Sequence, residues 1–336
     1  MQNLLDPAIL FFVFSVLAGA LRSNLEIPPA IAKFLSLYLL MALGLKGGFA
    51  LAKSGFSPSV LVSLGAAMLM AFIVPALGYQ LLKNRVSRFD AAALAASYGS
   101  VSAVTFVTAM RYLENNGLSP GGHMAAALVV MESSAIIMAV LLVNTLRRAP
   151  LSAVRVAPSG AATLVACGGS GPGTPLDKIL HESFTDGAQL LLLGAMAVGY
   201  LSGEAGQDVM APFSIGLFKG MLAFFLLDMG LMVARSFGSV RGQSVALLAY
   251  ASIGPLVHAA LALVLADVLQ LPAADAALLM VLSASASYIV VPAVLRYAIP
   301  EAQPSLYLGL SLGVTFPLNI LLGIPLYTWV AGQVLG

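Results

Sequence analysis

Charge is what this chain has least of. Only 9% of its 336 residues are Asp, Glu, Lys or Arg, whereas 60% are apolar. A soluble domain carries roughly 25% charged residues, and so large an apolar surplus cannot be hidden from water in a soluble core. The expectation is an all-α integral membrane protein. Cysteine is nearly missing, and Cys167 alone supports neither an internal disulfide nor a zinc cluster. With a net charge of +2 and no basic tail, nothing points to nucleic acid. The HExxH, Walker A and GxSxG patterns are missing, His181-Glu182 lacking the second histidine of the first, so neither an enzyme nor a cofactor is expected. The N-terminus lacks the basic region of a cleaved signal, and residues 8–21 read instead as a first membrane span.

What is abundant is long apolar runs. Breaks at Pro, Gly and charge divide them into ten expected spans: 8–21, 29–50, 58–82, 90–113, 122–146, 183–202, 212–234, 243–269, 273–298 and 305–333. Residues 147–182 are rich in Pro, Gly and Ser and read as a linker. Lys and Arg gather in alternate connections, at Arg22 and Lys33, at Lys83, Arg85 and Arg88, in the linker, at Arg235 and Arg241, and at Arg296. The positive-inside rule makes these connections and the linker cytoplasmic, with both termini outside.

The chain also repeats itself. "DAAALAASYGSVSAVTFVTAMRY" from Asp90 lines up without a gap on "DAALLMVLSASASYIVVPAVLRY" from Asp275, an offset of 185 residues. "LMALGL" at 40–45 matches "LLDMGL" at 226–231 within one residue of that offset, Gly44 lying over Gly230. The expected units are a first five-helix repeat, 1–146, the linker, 147–182, and a second repeat, 183–336. An odd number of spans makes the second repeat enter the membrane from the opposite side, the inverted arrangement of secondary transporters.

In both copies serine alternates with small residues at mid-span: Gly99-Ser100-Val101-Ser102-Ala103 in one, Ser285-Ala286-Ser287-Tyr288 in the other. Such stretches let helices pack closely. They also break helices, and two half-helix N-termini meeting at the midplane, with serine donors beside them, suit a small anion. Recurrence at matched places favours the second reading, with these nine residues as the substrate site. For a cation the candidates are oxygen ligands: Thr105, Glu132, Asp228, Thr315 and Asn319. Pairing of the two acids with Lys46, Lys219 or a backbone donor is the alternative. His258 reads as a hydrogen-bonded packing residue.

Several segments together resemble the cyanobacterial-type sodium-dependent bicarbonate transporters over nearly the whole chain. They are "LMALGLKGG" (40–48), "GSVSAVT" (99–105), "PFSIGLFKGMLAFFLLDMGL" (212–231), "IGPLVHAALA" (253–262), "AIPEAQPSLYLG" (298–309) and "GIPLY" (323–327). Glu132 matches an acid of that family. The family pattern has a further serine at Val104 and Ser-Ser-Ser-Asp where this chain has Ser285-Ala286-Ser287-Tyr288. The resemblance implies ten helices in two inverted five-helix repeats with two broken crossover helices, divided into core and gate domains. It also implies a homotrimer in a bacterial inner membrane, elevator-like movement, uptake of bicarbonate with sodium as coupling ion, and a PII-like regulatory partner on the cytoplasmic side. Two other functions are weighed beside it. One is a sodium- or proton-coupled carrier of another small anion or a monocarboxylate, the other an anion sensor that transports nothing.

Overall fold

A computed structural model describes residues 6–55, 57–148, 187–240, 242–288, 291–292, 294–295 and 299–336. Every regular element among them is helical. In chain order they are α1 (Pro7–Ala20), α2 (Pro29–Ser54), α3 (Pro58–Leu82), α4 (Arg88–Gly99), α5 (Ala103–Asn115), α6 (Met124–Arg148), α7 (Gly187–Ala211), α8 (Phe218–Val240), α9 (Val245–Val268), α10 (Ala273–Ala284) and α11 (Pro304–Leu335). Short π-helical turns interrupt the sequence at Pro212–Gly216 and, inside α11, at Ser311–Thr315 and Asn319–Gly323. Nearly all of the expected linker lies outside the described residues.

Local chemistry sets many of the boundaries. Proline opens α1, α2, α3 and α11, at a position where its missing N–H leaves no bond unmade. Asp6, Ser87 and Ser244 cap α1, α4 and α9 through side-chain oxygens. Seven helical stretches are long and apolar enough to cross a membrane, and Pro7–Ala20 and Ala273–Ala284 are shorter apolar helices. One of the seven, Leu190–Val240, carries two expected spans in a single run. The connection expected between them is thus largely helical. It turns at Gly203, whose φ of 57° and ψ of −145° suit glycine alone, and then in the π-turn, whose Phe213 carbonyl accepts from the Tyr38 hydroxyl.

Packing places α1 along α8 and α2 along α7. Glycines let the backbones close in. A Cβ at Gly44 would stand 2.8 Å from that of Ala195, one at Gly48 2.7 Å from the Tyr200 nitrogen, and one at Gly230 2.5 Å from the Phe12 carbonyl. Around the broken segments, α3 packs on α4 and α6, α9 on α10, and α10 on the C-terminal part of α11. Large apolar side chains such as Leu61, Val245, Val264 and Trp329 stay exposed, as a lipid-facing surface requires. From Asp90 to Gly99 in α4 and from Asp275 to Ala284 in α10, by contrast, every residue is buried.

Two aspartates fix the entrances to these enclosed helices. Asp90 Oδ1 accepts from the Gln303 N–H (2.8 Å), just ahead of α11, and Asp90 Oδ2 accepts from the Ser87 hydroxyl (2.7 Å). Asp275 Oδ1 accepts from the Gly121 N–H (2.6 Å), just ahead of α6. Each carboxylate therefore ties its own broken segment to a loop in the other half of the chain. His123 stands 3.5 Å from Asp275 on the second of these ties.

Candidate functional site

The helix runs stop where the serines stand. After Gly99 the backbone becomes extended at Ser100, and α5 starts afresh at Ala103. After Ala284 it becomes extended at Ser285, and helical conformation returns at Val291. Serine caps both restarts: Ser102 Oγ accepts from the Thr105 N–H (3.1 Å) and Ser287 Oγ from the Val291 N–H (3.3 Å). Ser102 and Ser287 are partners at the repeat offset of 185. Glycine at 99 is required by close approach, because a Cβ there would press 2.6 Å from the Pro75 ring.

The breaks touch each other. The Ser102 N–H donates to Ser285 Oγ (3.0 Å), the Ser102 hydroxyl to the Tyr288 oxygen (3.1 Å), and the Ser287 N–H to the Ser97 carbonyl (2.8 Å). The last of these satisfies a carbonyl that the end of α4 leaves free. Around the contact lie buried hydroxyls with no hydrogen-bond partner: of eight such side-chain atoms among the described residues, four are Ser97 Oγ, Ser100 Oγ, Thr105 Oγ1 and Ser283 Oγ. Each unmade bond of this kind costs about 1–3 kcal/mol, and half of the eight gather at the two helix breaks.

Thr315 and Asn319 reach the same region from the π-turns of α11. Pro255 has no N–H to offer the Ala251 carbonyl four residues back. The Thr315 hydroxyl donates to that carbonyl (2.7 Å) and so accepts from the Tyr98 hydroxyl (2.7 Å). Asn319 Nδ2 donates to the Ala284 carbonyl at the end of α10 (2.7 Å), while Asn319 Oδ1 accepts from Tyr327 (3.1 Å). Both candidates thus hold the broken helices in place, each with acceptor capacity to spare. Thr315→Val is expected to strand the Ala251 carbonyl and the Tyr98 hydroxyl, destabilising the protein by about 1–3 kcal/mol. Thermal unfolding in detergent reads this, with Thr315→Ser as the recovering variant.

The two acids stand on other helices. Glu132 and Ser133 are buried on α6, which packs against α3 and α4. Asp228 is buried on α8, whose neighbours are α1, α2 and the N-terminal part of α11, and it makes no hydrogen bond to either break among the described residues. Lys46 pairs with neither acid. It bonds Glu114 (2.9 Å), which Arg111 approaches at 3.5 Å, and lies over the Phe218 ring (4.8 Å). His258 is buried edge-on to Tyr250, without a hydrogen bond at Nδ1. Among the described residues no three His, Cys, Asp or Glu side chains converge on one point.

Sequence reasoning missed Tyr98, Ser97, Ser283 and Tyr327. The one available signal was Pro255, which announces an orphan carbonyl at Ala251 and hence a donor from elsewhere in the chain. A family model described as "Na+-dependent bicarbonate transporter superfamily" matches residues 7–332. No curated protein matches the chain.

Proposed function

The chain belongs to the Na+-dependent bicarbonate transporter superfamily, and from that premise we propose that it couples the inward movement of sodium to uptake of bicarbonate by alternating access. Membership in such a superfamily implies transport rather than catalysis, with a place in a membrane. The observation that carries the finer reading is the direct contact between two serine-capped helix breaks, Ser102 on Ser285 and Tyr288. Free first-turn N–H groups and unpartnered hydroxyls meet there, which is the chemistry an anion needs inside a membrane. The substrate site in this reading is Gly99–Ala103 with Ser285–Tyr288. Thr105, Thr315 and Asn319 supply oxygens for sodium close by, with Glu132 and Asp228 as the carboxylate candidates.

An inverted pair of repeats is supported by the exchanged ties of Asp90 and Asp275, and by the matched pairings of α1 with α8 and α2 with α7. In an elevator, α1, α2, α7 and α8 form the gate that stays, and α3–α6 with α9–α11 form the core that carries the breaks. A homotrimer in a bacterial inner membrane, termini outside, and a PII-like protein at the cytoplasmic linker complete the proposal.

Uptake of labelled bicarbonate into proteoliposomes tests it. The expected result is accumulation under an inward sodium gradient and background levels when potassium replaces sodium. Equal uptake in both removes the coupling to sodium. Uptake of formate or acetate in place of bicarbonate reassigns the substrate, and anion binding without any uptake makes the protein a sensor.

A further inference from the structure

A chain of hydrogen bonds runs out of the α5 N-terminus and ends on a free donor. The Thr105 N–H donates to Ser102 Oγ, and the Ser102 hydroxyl donates to the Tyr288 oxygen, both at 3.1 Å. Tyr288 keeps its own phenolic proton, with no acceptor among the described residues. Each bond polarises the next, so the positive end of α5 strengthens that last donor. The ring cannot turn the hydroxyl away. It is buried, lies edge-on to Phe316 at 5.3 Å, and Phe316 in turn lies edge-on at 5.6 Å to Phe12 of α1.

Building on the transport reading above, we propose that the Tyr288 hydroxyl is the donor that reads one oxygen of the transported anion. Ser100 in the first break, Thr105 on α5 and Tyr288 in the second break each hold a hydroxyl proton without an acceptor among the described residues. The column Tyr288–Phe316–Phe12 also joins this donor to α1.

The test is uptake of bicarbonate, formate, nitrate and chloride by proteoliposomes carrying the wild type, Tyr288→Phe, Ser102→Ala and the double variant. Tyr288→Phe keeps the ring and loses the donor. Its KM for the transported oxyanion is expected to rise about 10- to 100-fold, the range for a hydrogen bond to a charged partner, with the maximal rate and thermal midpoint retained. Ser102→Ala and the double variant are expected to lose more, because Ser102 also caps α5, and the excess of the double variant over Ser102→Ala reads the Tyr288 donor. 3-Fluorotyrosine in place of Tyr288, a stronger donor of nearly equal size, is expected to lower KM and covers the case in which the phenylalanine variant does not accumulate. An oxyanion carried with unchanged KM by Tyr288→Phe and by the fluorinated protein overturns the role of Tyr288 and leaves the transport reading intact. A wild type that carries chloride alone, or none of the four anions, overturns both readings.

Discussion

Ser102→Leu is expected to reduce sodium-driven anion uptake at least about a hundredfold, to the background of empty liposomes. Three hydrogen bonds engage the N–H and hydroxyl of this one residue: its N–H on Ser285, its hydroxyl oxygen accepting from Thr105, its hydroxyl donating to Tyr288. Leucine keeps only the first. Loss of the cap alone costs about 0.5–2 kcal/mol, and the larger side chain enters a position only 4% exposed, which adds about 1–3 kcal/mol of overpacking. That strain falls on the contact between the breaks, so the proposed anion site deforms before the surrounding helices do. Uptake, read together with a thermal midpoint, separates a lost site from a lost fold, and Ser102→Thr should keep measurable transport because it keeps the hydroxyl. Full uptake by the leucine variant would place the anion elsewhere in the protein.

The largest effect on stability is expected from Gly48→Leu. A side chain at Gly48 meets backbone on the facing helix: the Met196 carbonyl, the Tyr200 nitrogen at 2.7 Å and Gly199 Cα at 2.9 Å. None of these yields as a flexible side chain would. Helices α2 and α7 must separate, and Gly199, itself 3.2 Å from Gly48 Cα when given a Cβ, loses its partner. Overpacking typically costs about 1–3 kcal/mol and more where backbone is in the way, so the unfolding midpoint should fall on the order of 10 °C. Gly65→Leu is the control, since nothing lies within 4 Å of a Cβ there. Equal midpoints for the two variants would mean that α2 and α7 do not meet at these glycines.

The breaks were legible in the sequence because their causes are local. The alternating serines and the caps on Thr105 and Val291 all act within four residues along the chain, whereas Gly99 answers to Pro75 on α3. Prolines at the starts of α1, α2, α3 and α11 are equally local, and α3 begins and ends at the residues expected for it. Where a connection was expected between residues 202 and 212, only Gly203 and a π-turn depart from the α-helix. Gly203 signals a bend, but nothing in its neighbours says that helix resumes immediately after it. Lys46 went unmatched because its partner, Glu114, lies 68 residues away.

Membrane class, the stretches that become helices and the places where two of them break were therefore determined by composition and near-neighbour chemistry alone. Which groups meet was decided only by the tertiary structure. The bonds from Ser102 to Ser285 and Tyr288, from Tyr98 to Thr315 and from Ser287 to Ser97 span more than 180 residues each. The physical reason is that lipid and protein core are both apolar, so a spanning helix shows little periodic contrast between its buried and exposed faces. Sequence therefore locates a break along its helix, and packing alone determines which other break it faces.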